Sequence, residues 1–288
     1  MNESAIQLRV GCKINLSLRI TGRRPNGYHE LDSLFYPLPD PHDVLHITQA
    51  PKNTSGLQCN CATPGIDPQH NTLTRAYAAY ATRTGYAPSI RIRLEKGIPH
   101  GAGLGGGSAD AGALLLYLNA RAPQALDTPA LTDIAATVGA DVPFFLQNAP
   151  CRVKGIGEKL EPLPYFLTGW HIVVLCPPVQ VSTPWAYQAW DVANLTKIDS
   201  LCLTSSPLKA KEFVFQRSFI TNTFESVVFT AHPVLRMHKE ALLKAGAHAA
   251  VLSGSGASLV GLFRDASTAQ RAASHMQRQG LQIYRLAL

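Results

Sequence analysis

The residues best suited to chemistry lie in a glycine-rich segment of the chain. Five glycines stand between positions 101 and 107, and Ser108 follows them at the start of a predicted helix. Glycine lets backbone N–H groups approach an anion closely, and the amino end of a helix adds unpaired N–H donors and a positive dipole. The segment therefore predicts a cradle for phosphate groups. The alternative is a mobile surface loop.

The surroundings of these glycines narrow the type of phosphate loop. It is not a Walker A loop, because no Gly-Lys-Ser or Gly-Lys-Thr follows. Gly101, Gly103 and Gly106 match the dinucleotide fingerprint, with Asp127 about twenty residues further on, so a nicotinamide-dependent oxidoreductase is an alternative. Against it, the glycines begin seven residues after Leu94, the last clear strand residue, with a proline between, and the chain lacks regular strand–helix alternation.

A lysine and an asparagine are placed together by the pattern of the first predicted strand. Apolar residues occupy every second position from Val10 to Ile20. This alternation predicts a strand with one buried and one polar face, on which Lys13 and Asn15 project side by side, roughly 7 Å apart. The alternative is that this polar face is an ordinary solvated surface.

A carboxylate, Asp141, lies in the otherwise apolar segment GADVPFF at 139–145. A carboxylate is costly to bury unless it has a partner, so we expect a favourable contact for Asp141. The alternative is that Asp141 caps a backbone turn.

The elements that position these residues predict an α+β protein. One helix is bracketed by Thr128 as its N-cap and by Gly139 just past its end. Residues 182–188, which include Trp185 and Tyr187, are predicted to begin a loop, and residues 191–221 carry no assignable pattern. Strands are predicted at 10–20, 43–50, 90–94, 170–176 and 281–288, helices at 71–85, 108–122, 128–138, 233–246 and 266–280, and a strand–turn–strand unit at 248–263.

The composition argues against several classes of protein. The chain has 288 residues, of which 46% are hydrophobic, and a formal net charge of +7. This is a globular composition, long enough for two domains. The basic residues are scattered, with no run longer than Arg23-Arg24, so no nucleic-acid surface is predicted. The positive charge instead suits a polyanionic ligand such as a nucleotide.

The cysteines and the chain start indicate a cytoplasmic protein. The six cysteines lack the spacing of a disulfide framework or a zinc site, which predicts free thiols in a reducing cytosol. No signal-peptide pattern opens the sequence, and no apolar stretch is long enough to span a membrane. We therefore expect neither a membrane nor a nucleic acid as partner.

Several motifs together resemble the GHMP kinases. Pro99-x-x-x-Gly103-Leu104-Gly105 resembles the second GHMP motif and VLSGSGASLVGLF the third. CKINLSL, RPNGYHELDSLF and GADVPFF resemble the first motif, the substrate segment and the catalytic segment of one branch, the 4-diphosphocytidyl-2-C-methyl-D-erythritol kinases of non-mevalonate isoprenoid biosynthesis. These matches run in the expected order from residue 10 to 262.

The resemblance implies a two-domain α+β kinase. Residues 1–160 would form a domain like ribosomal protein S5 domain 2, and residues 161–288 a ferredoxin-like α/β sandwich. The implied cofactors are ATP and Mg²⁺, the implied substrate is a small cytidine diphosphate derivative, and the protein would be a monomer or a weak homodimer. Within the same chemistry, the alternatives are a homoserine- or mevalonate-type kinase. A nucleotide-binding protein without catalysis is a further alternative.

The resemblance also implies roles for individual residues. Lys13 and Asp141 would be catalytic, and no metal ligand is assigned. Cys12 and Ala109 depart from the family pattern, and Ala109 leaves Ser108 as the only hydroxyl after the glycines. The ATP-binding residues would be Pro99, Gly101, Gly103, Leu104, Gly105, Gly106, Gly107, Ser108, Lys96 and Asn71. The substrate-binding residues would be Asn15, Tyr28, His29 and Tyr187.

Overall fold

Two long strands organise the first part of the chain, β1 (Ile6–Arg23) and β2 (His29–Gln49). The computed structural model describes residues 6–51, 53–194 and 215–288. These residues form two compact units, and both long strands contribute to both units. The first unit comprises 6–12, 38–51, 53–100 and 105–148, and the second comprises 13–37, 101–104, 149–194 and 215–288. The domain boundary at residue 160 stays a prediction.

The first unit combines a sheet with four helices. Its strands β3 (Leu57–Cys61) and β4 (Ile90–Glu95) run parallel, and β4 pairs antiparallel with β2. The predicted alternation of β4 is confirmed, because its three aliphatic side chains are buried and the charged ones between them are exposed. The helices are α1 (Thr72–Thr84), α2 (Gly106–Asn119), α3 (Thr128–Val138) and α4 (Val142–Gln147), and α2 packs on the other three.

The second unit contains a hairpin on β2 and a separate four-stranded sheet. β5 (Cys151–Gly155) pairs antiparallel with β2 and with β6 (Lys159–Pro162). The strands of the separate sheet are β7 (His171–Cys176), β9 (Ala249–Leu252), β10 (Leu259–Phe263) and β11 (Gln282–Ala287). They are antiparallel and lie in the order β11-β7-β10-β9.

Short elements complete the second unit. β8 (Thr221–Asn222) pairs in parallel with β1, and this places the segment after residue 220 beside the first motif. The helices are α5 (Thr183–Asn194), α6 (Glu225–Ala231), α7 (Pro233–Lys244) and α8 (Ala266–Gln277). Helices α7 and α8 pack on the four-stranded sheet, and α6 packs against α5 and α7.

Three expectations about local structure are corrected. The N-cap of α3 is Asp127, whose side chain accepts a hydrogen bond from the Ala130 amide, and Thr128 is the first helical residue. Helix α2 begins at Gly106, two residues before the predicted start. Residues 183–194 form helix α5, not a loop. Ser182 and Pro184 are a helix-start signal, since the Ser182 carbonyl accepts the first helical bond, from Ala186.

Strand β1 is buried on both faces from Cys12 to Leu18, so its polar face is not a solvated surface. A polar side chain in such a strand needs hydrogen-bonding partners. Among the residues that the structure describes, no helix is long and apolar enough to cross a membrane. Cys202 lies outside the described residues, and the other cysteines are free thiols: Cys12, Cys59, Cys61, Cys151 and Cys176.

Candidate active site

The polar side chains of β1 form a buried hydrogen-bonded group. Lys13 Nζ donates to Asn15 Oδ1 over 2.5 Å, so the two residues share a face as predicted. Asn15 Nδ2 donates to Ser33 Oγ over 3.0 Å. The Lys13 ammonium also lies 4.3 Å from the centre of the Phe35 ring, a cation–π contact that offsets part of the cost of burying its charge. These contacts fix the lysine in one direction.

The first half of the glycine loop, residues 101–104, is fixed by neutral contacts. The Lys13 amide donates to the Leu104 carbonyl over 3.0 Å. Gly103 has φ +77°, and a Cβ there would lie only 2.2 Å from the carbonyl oxygen of Ser253. Only glycine therefore fits at 103, for its conformation and for the space available.

A turn of small residues at 253–258 lies against this half of the loop. Ser253 Oγ donates to the Gly103 carbonyl over 3.1 Å and accepts from the Asn15 amide over 3.1 Å. The Ser258 amide donates to the Ala102 carbonyl over 3.1 Å. The third motif is therefore more than a tight turn between two strands, because it holds the loop and the first motif together.

The second half of the loop opens helix α2. Gly105 is its N-cap, with φ +75°, and no side chain caps the helix. The first-turn N–H groups of an α-helix have no intrahelical partner, and here Gly106 and Gly107 keep side chains away from them. This is the arrangement that binds phosphate at a helix amino end. Ser108 lies in this turn and is partly buried.

A buried ion cluster lies beside the start of α2. Lys96 Nζ contacts Asp43 Oδ2 and lies 3.1 Å from Asp110 Oδ2. Asp43 Oδ1 also accepts from the amides of Gly97 and Ile98, both over 2.8 Å. A Cβ built on Gly106 would lie 3.2 Å from Lys96 Nζ. The ammonium of Lys96 is therefore adjacent to the turn that opens α2. We name Lys96, Asp43 and Asp110 the ion cluster.

The electrostatics of the ion cluster are set by burial. Burial raises the pKa of Asp110 to about 7, although Lys96 opposes the shift. Burial alone would lower the pKa of Lys96, but the two carboxylates outweigh it and raise that pKa. Asp110 Oδ1 is buried and has no hydrogen-bond partner among the described residues. Neither carboxylate was predicted from the sequence, although Asp110 stands out as a charged residue in an otherwise apolar helix.

Two predicted site residues lie at helix starts in the first unit. Asn71 caps α1 in a capping box, with Oδ1 accepting from the Thr74 amide over 3.1 Å, so its side chain is already engaged. Asp141 directly precedes α4 and is partly buried, but its side chain makes no capping bond to that helix. The contribution of each residue to catalysis or binding stays a prediction.

The rings of His29, Tyr187 and Trp190 form an aromatic cluster at the predicted substrate segment. His29 and Tyr187 stack, with ring centres 4.6 Å apart and an angle of 21°. His29 Nε2 lies 2.7 Å from Asp191 Oδ1, and Trp190 meets His29 edge-on at 5.8 Å. Tyr28 lies beside this cluster in the sequence and is 59% exposed. A base cannot lie between His29 and Tyr187, since the two rings are in contact.

Asp191 was missed because residues 191–221 showed no pattern. Once 183–194 is taken as a helix, Tyr187 and Asp191 are four residues apart and lie on one face, which is the signal that could have found it. Within the described ranges, no group of three or more His, Cys, Asp or Glu residues could hold a metal ion.

Family models match both parts of the chain. The GHMP kinases N terminal domain matches residues 71–148, and the GHMP kinases C terminal model matches residues 206–282.

Full-length relatives are also similar to this chain. It is 48% identical over 285 residues to a 4-diphosphocytidyl-2-C-methyl-D-erythritol kinase of Nitratidesulfovibrio vulgaris (strain Hildenborough), covering 99% of each chain. A crystal structure of a 4-(cytidine 5'-diphospho)-2C-methyl-D-erythritol kinase is 32% identical, with a TM-score of 0.75, over 97% of this chain and 98% of that one. A homoserine kinase from Cytophaga hutchinsonii, 20% identical with a TM-score of 0.73 and covering 100% and 96%, shares the fold.

Proposed function

Because this chain belongs to the 4-diphosphocytidyl-2-C-methyl-D-erythritol kinases, a branch of the GHMP kinases, we propose that it transfers the γ-phosphoryl group of ATP to the 2-hydroxyl of 4-diphosphocytidyl-2-C-methyl-D-erythritol. The products are ADP and the 2-phosphate. The observation that carries the proposal is the glycine loop that opens α2 with no side-chain cap. Such a helix start supplies N–H donors to an anion, and ATP is the anion that the family uses.

In this proposal the loop residues bind the triphosphate. Gly103 and Gly105 shape the loop, Gly106 and Gly107 leave their amides open, and Ser108 adds a hydroxyl. Pro99, Gly101 and Leu104 lie in the same segment, and Leu104 is joined to the first motif through the Lys13 amide. Lys96 and Asn71 are the other ATP-binding residues of the proposal, and the Lys96 ammonium lies beside the turn that opens α2.

Asp141 and Lys13 serve the reaction itself. The substrate oxygen forms a bond to the γ-phosphorus, the bond from that phosphorus to the bridging oxygen breaks, and Asp141 receives the hydroxyl proton. Lys13, held by Asn15, supplies positive charge for the transferred group. Mg²⁺ would supply positive charge to the phosphates when bound, and the oxygens of Ser108 and Asp141, which are of the kind that it binds, would hold it.

The aromatic cluster serves the cytidyl base. Tyr187, whose ring is stacked on the buried His29, meets the base on one face, and the exposed Tyr28 closes over the other face of the base. Asp191 fixes the ring of His29 through Nε2. We propose that the enzyme acts in the cytoplasm as a monomer or weak homodimer, without a nucleic acid or a membrane as partner.

A coupled ADP-release assay across acceptors tests the function. The purified protein is given ATP, Mg²⁺ and one of three alcohols: the cytidyl substrate, mevalonate or homoserine. The proposal expects ADP release with the cytidyl substrate, at a rate at least about 100-fold above the other two, because a site that hydrogen-bonds its substrate rejects analogues that lack the matching groups. Comparable rates with mevalonate or homoserine would contradict the acceptor. NADH binding by fluorescence would favour the oxidoreductase instead, although Asp127 is engaged as a helix cap.

A further inference from the structure

Two buried or partly buried side chains hold the last residue of β9 from both sides. Asn222 Nδ2 donates to the carbonyls of Leu252 and Gly254, both over 2.7 Å. Glu225 Oε1 accepts from the Leu252 amide over 3.0 Å. Both backbone groups of Leu252 are thus fixed by side chains just before the 253–258 turn begins. We name Asn222 and Glu225 the turn clamp.

The chemistry of the turn clamp requires these residue types. Asn222 donates two hydrogen bonds and accepts a third, from the Phe224 amide over 2.9 Å, and among uncharged short side chains only an amide has both capacities. Glu225 is itself fixed by Lys239, whose Nζ lies 2.6 Å from Oε2. Asn222 is buried, so each lost bond would leave a buried carbonyl unsatisfied.

The turn that the clamp holds is the one that contacts the glycine loop. Ser253, the residue after Leu252, bonds to the Gly103 carbonyl and to the Asn15 amide. A chain of bonds therefore leads from Asn222 through Leu252 and Ser253 to the loop. The hydrogen bonds of the Asn222 side chain go to Leu252, Gly254 and Phe224, none of which belongs to the loop or to the cluster around His29.

We infer that the turn clamp is a positioning device for the phosphate-binding loop, so that Asn222 and Glu225 set the affinity for ATP without contacting it. The inference rests on the proposed function, in which the loop binds ATP. A misplacement of about 1 Å far from the chemistry can cost on the order of 100-fold, so a shifted turn has a measurable effect on the loop. The cytidyl base, bound at the aromatic cluster, should be unaffected.

The variant Asn222→Asp tests the clamp with the least disturbance. It keeps the oxygen that accepts from Phe224, whose ring supports Tyr187, but loses both donors to the carbonyls. The dissociation constants of ATP and of CDP are measured by calorimetry on the full chain. ATP affinity should fall by about 10- to 100-fold and CDP affinity by less than about twofold. Asn60→Asp, which adds the same charge at an exposed position, should change neither affinity.

A pH series separates positioning from a general loss of structure. A carboxylate at position 222 is buried and faces two carbonyl oxygens, which raises its pKa above the ordinary range of an aspartate. A protonated carboxyl regains one O–H donor, so the ATP affinity of Asn222→Asp should recover toward the parent value as the pH is lowered from about 8 to about 6. At each pH, the dissociation constant of ATP for the variant is divided by that for the parent, and this ratio is compared across the series. A defect that is independent of pH, or equal losses for ATP and CDP, would overturn the inference.

Substitutions of Glu225 test the turn clamp independently if Asn222→Asp does not fold. Glu225→Gln keeps an oxygen for the Leu252 amide and should retain most of the ATP affinity, whereas Glu225→Ala should lose it. Equal ATP affinity for these two variants would overturn the inference. If the parent protein binds CDP but not ATP, the proposed function fails instead; if the parent binds ATP and folded clamp variants bind it equally well, only the clamp fails.

Discussion

The two halves of the glycine loop are held by different kinds of interaction. Residues 101–104 are fixed by neutral hydrogen bonds and by lack of space, because Gly103 lies against the Ser253 carbonyl. From residue 105 onward, the start of α2 lies beside the ion cluster of Lys96, Asp43 and Asp110. The first half should therefore be insensitive to pH and very sensitive to side-chain size. The second half should be sensitive to charge.

The difference means that pH can affect one half of the loop and not the other. The contacts of the first half are neutral hydrogen bonds to backbone carbonyls, and no group in them gains or loses a proton. A buried cluster with one cation and two carboxylates has a net charge that depends on a proton, and it lies next to the turn that would meet phosphate. Substitutions in each half should therefore have different effects, and a substitution at a catalytic residue outside the loop should affect neither half.

The largest effect is expected at Asp141, which we propose serves the chemical step and not the loop. Asp141→Asn should lower kcat by about 10²- to 10⁴-fold, the range of a positioned general base, with ATP affinity near the parent value. Steady-state ADP release and calorimetry measure the two quantities. Asp133→Asn, an exposed position on α3, is the control. A near-normal kcat would rule out this role for Asp141.

Removing the cation of the ion cluster should be the next largest effect. Lys96→Met leaves two buried carboxylates without their partner and should cost about 3–5 kcal/mol in the free energy of unfolding, measured with urea. Adding Asp110→Asn to Lys96→Met should restore part of this loss. Lys154→Met removes a surface ion pair with Glu161 and should cost less than about 1 kcal/mol. If Lys96→Met and Lys154→Met lower the free energy of unfolding equally, charge is not what distinguishes this half of the loop.

Two glycines separated by one residue test the importance of side-chain size in residues 101–104. Gly101 and Gly103 have similar positive φ angles, +71° and +77°, but a Cβ at 101 meets nothing within 4 Å. Gly101→Ala should cost about 1–2 kcal/mol of stability for its conformation alone. Gly103→Ala should cost about 1–3 kcal/mol more and should weaken ATP binding. Equal effects of the two substitutions would show that lack of space at 103 is unimportant.

The smallest effect is a change in pH dependence at Asp110. Its pKa is raised from 3.8 to about 7 in the folded protein, so this carboxyl binds more protons folded than unfolded. Its contribution to stability is fully present below about pH 4 and is lost as the pH rises to about 7. The neighbouring groups are Lys96, Asp43 and the thiol of Cys59. Relative to the parent, Asp110→Asn should therefore gain stability across this window in urea unfolding. Parallel pH profiles would contradict it.

Much of the fold could be predicted from the sequence, because its signals are local. The alternation in β4 and the glycine that ends α1 both indicated the observed elements. The start of α3 was displaced by one residue, since Asp127 and Thr128 are both good caps and the choice depends on the backbone. Helix α5 was missed because the segment after Pro177 and Pro178, which close β7, was taken as the beginning of a loop that leaves the sheet.

The candidate site was less predictable, because its support comes from residues distant in sequence. The glycines, Lys13 and Asn15 stood out by type and spacing. Asp43, Asp110 and Asn222 did not, since their partners are set by the fold: Asp43 accepts from an amide 54 residues away, and Asn222 donates to Gly254, which lies three elements further along the chain. No periodicity in the chain encodes those contacts.

Amide hydrogen exchange tests the central claim, that both halves of the glycine loop bind the phosphates of ATP, most directly. Exchange in peptides covering residues 101–109 is followed by mass spectrometry with ATP, with CDP and without ligand. ATP should slow exchange in both halves of the loop, and CDP should leave them unchanged while it slows exchange around His29 and Tyr187. If saturating ATP leaves residues 101–109 unprotected, or CDP alone protects them, the loop is not the phosphate cradle.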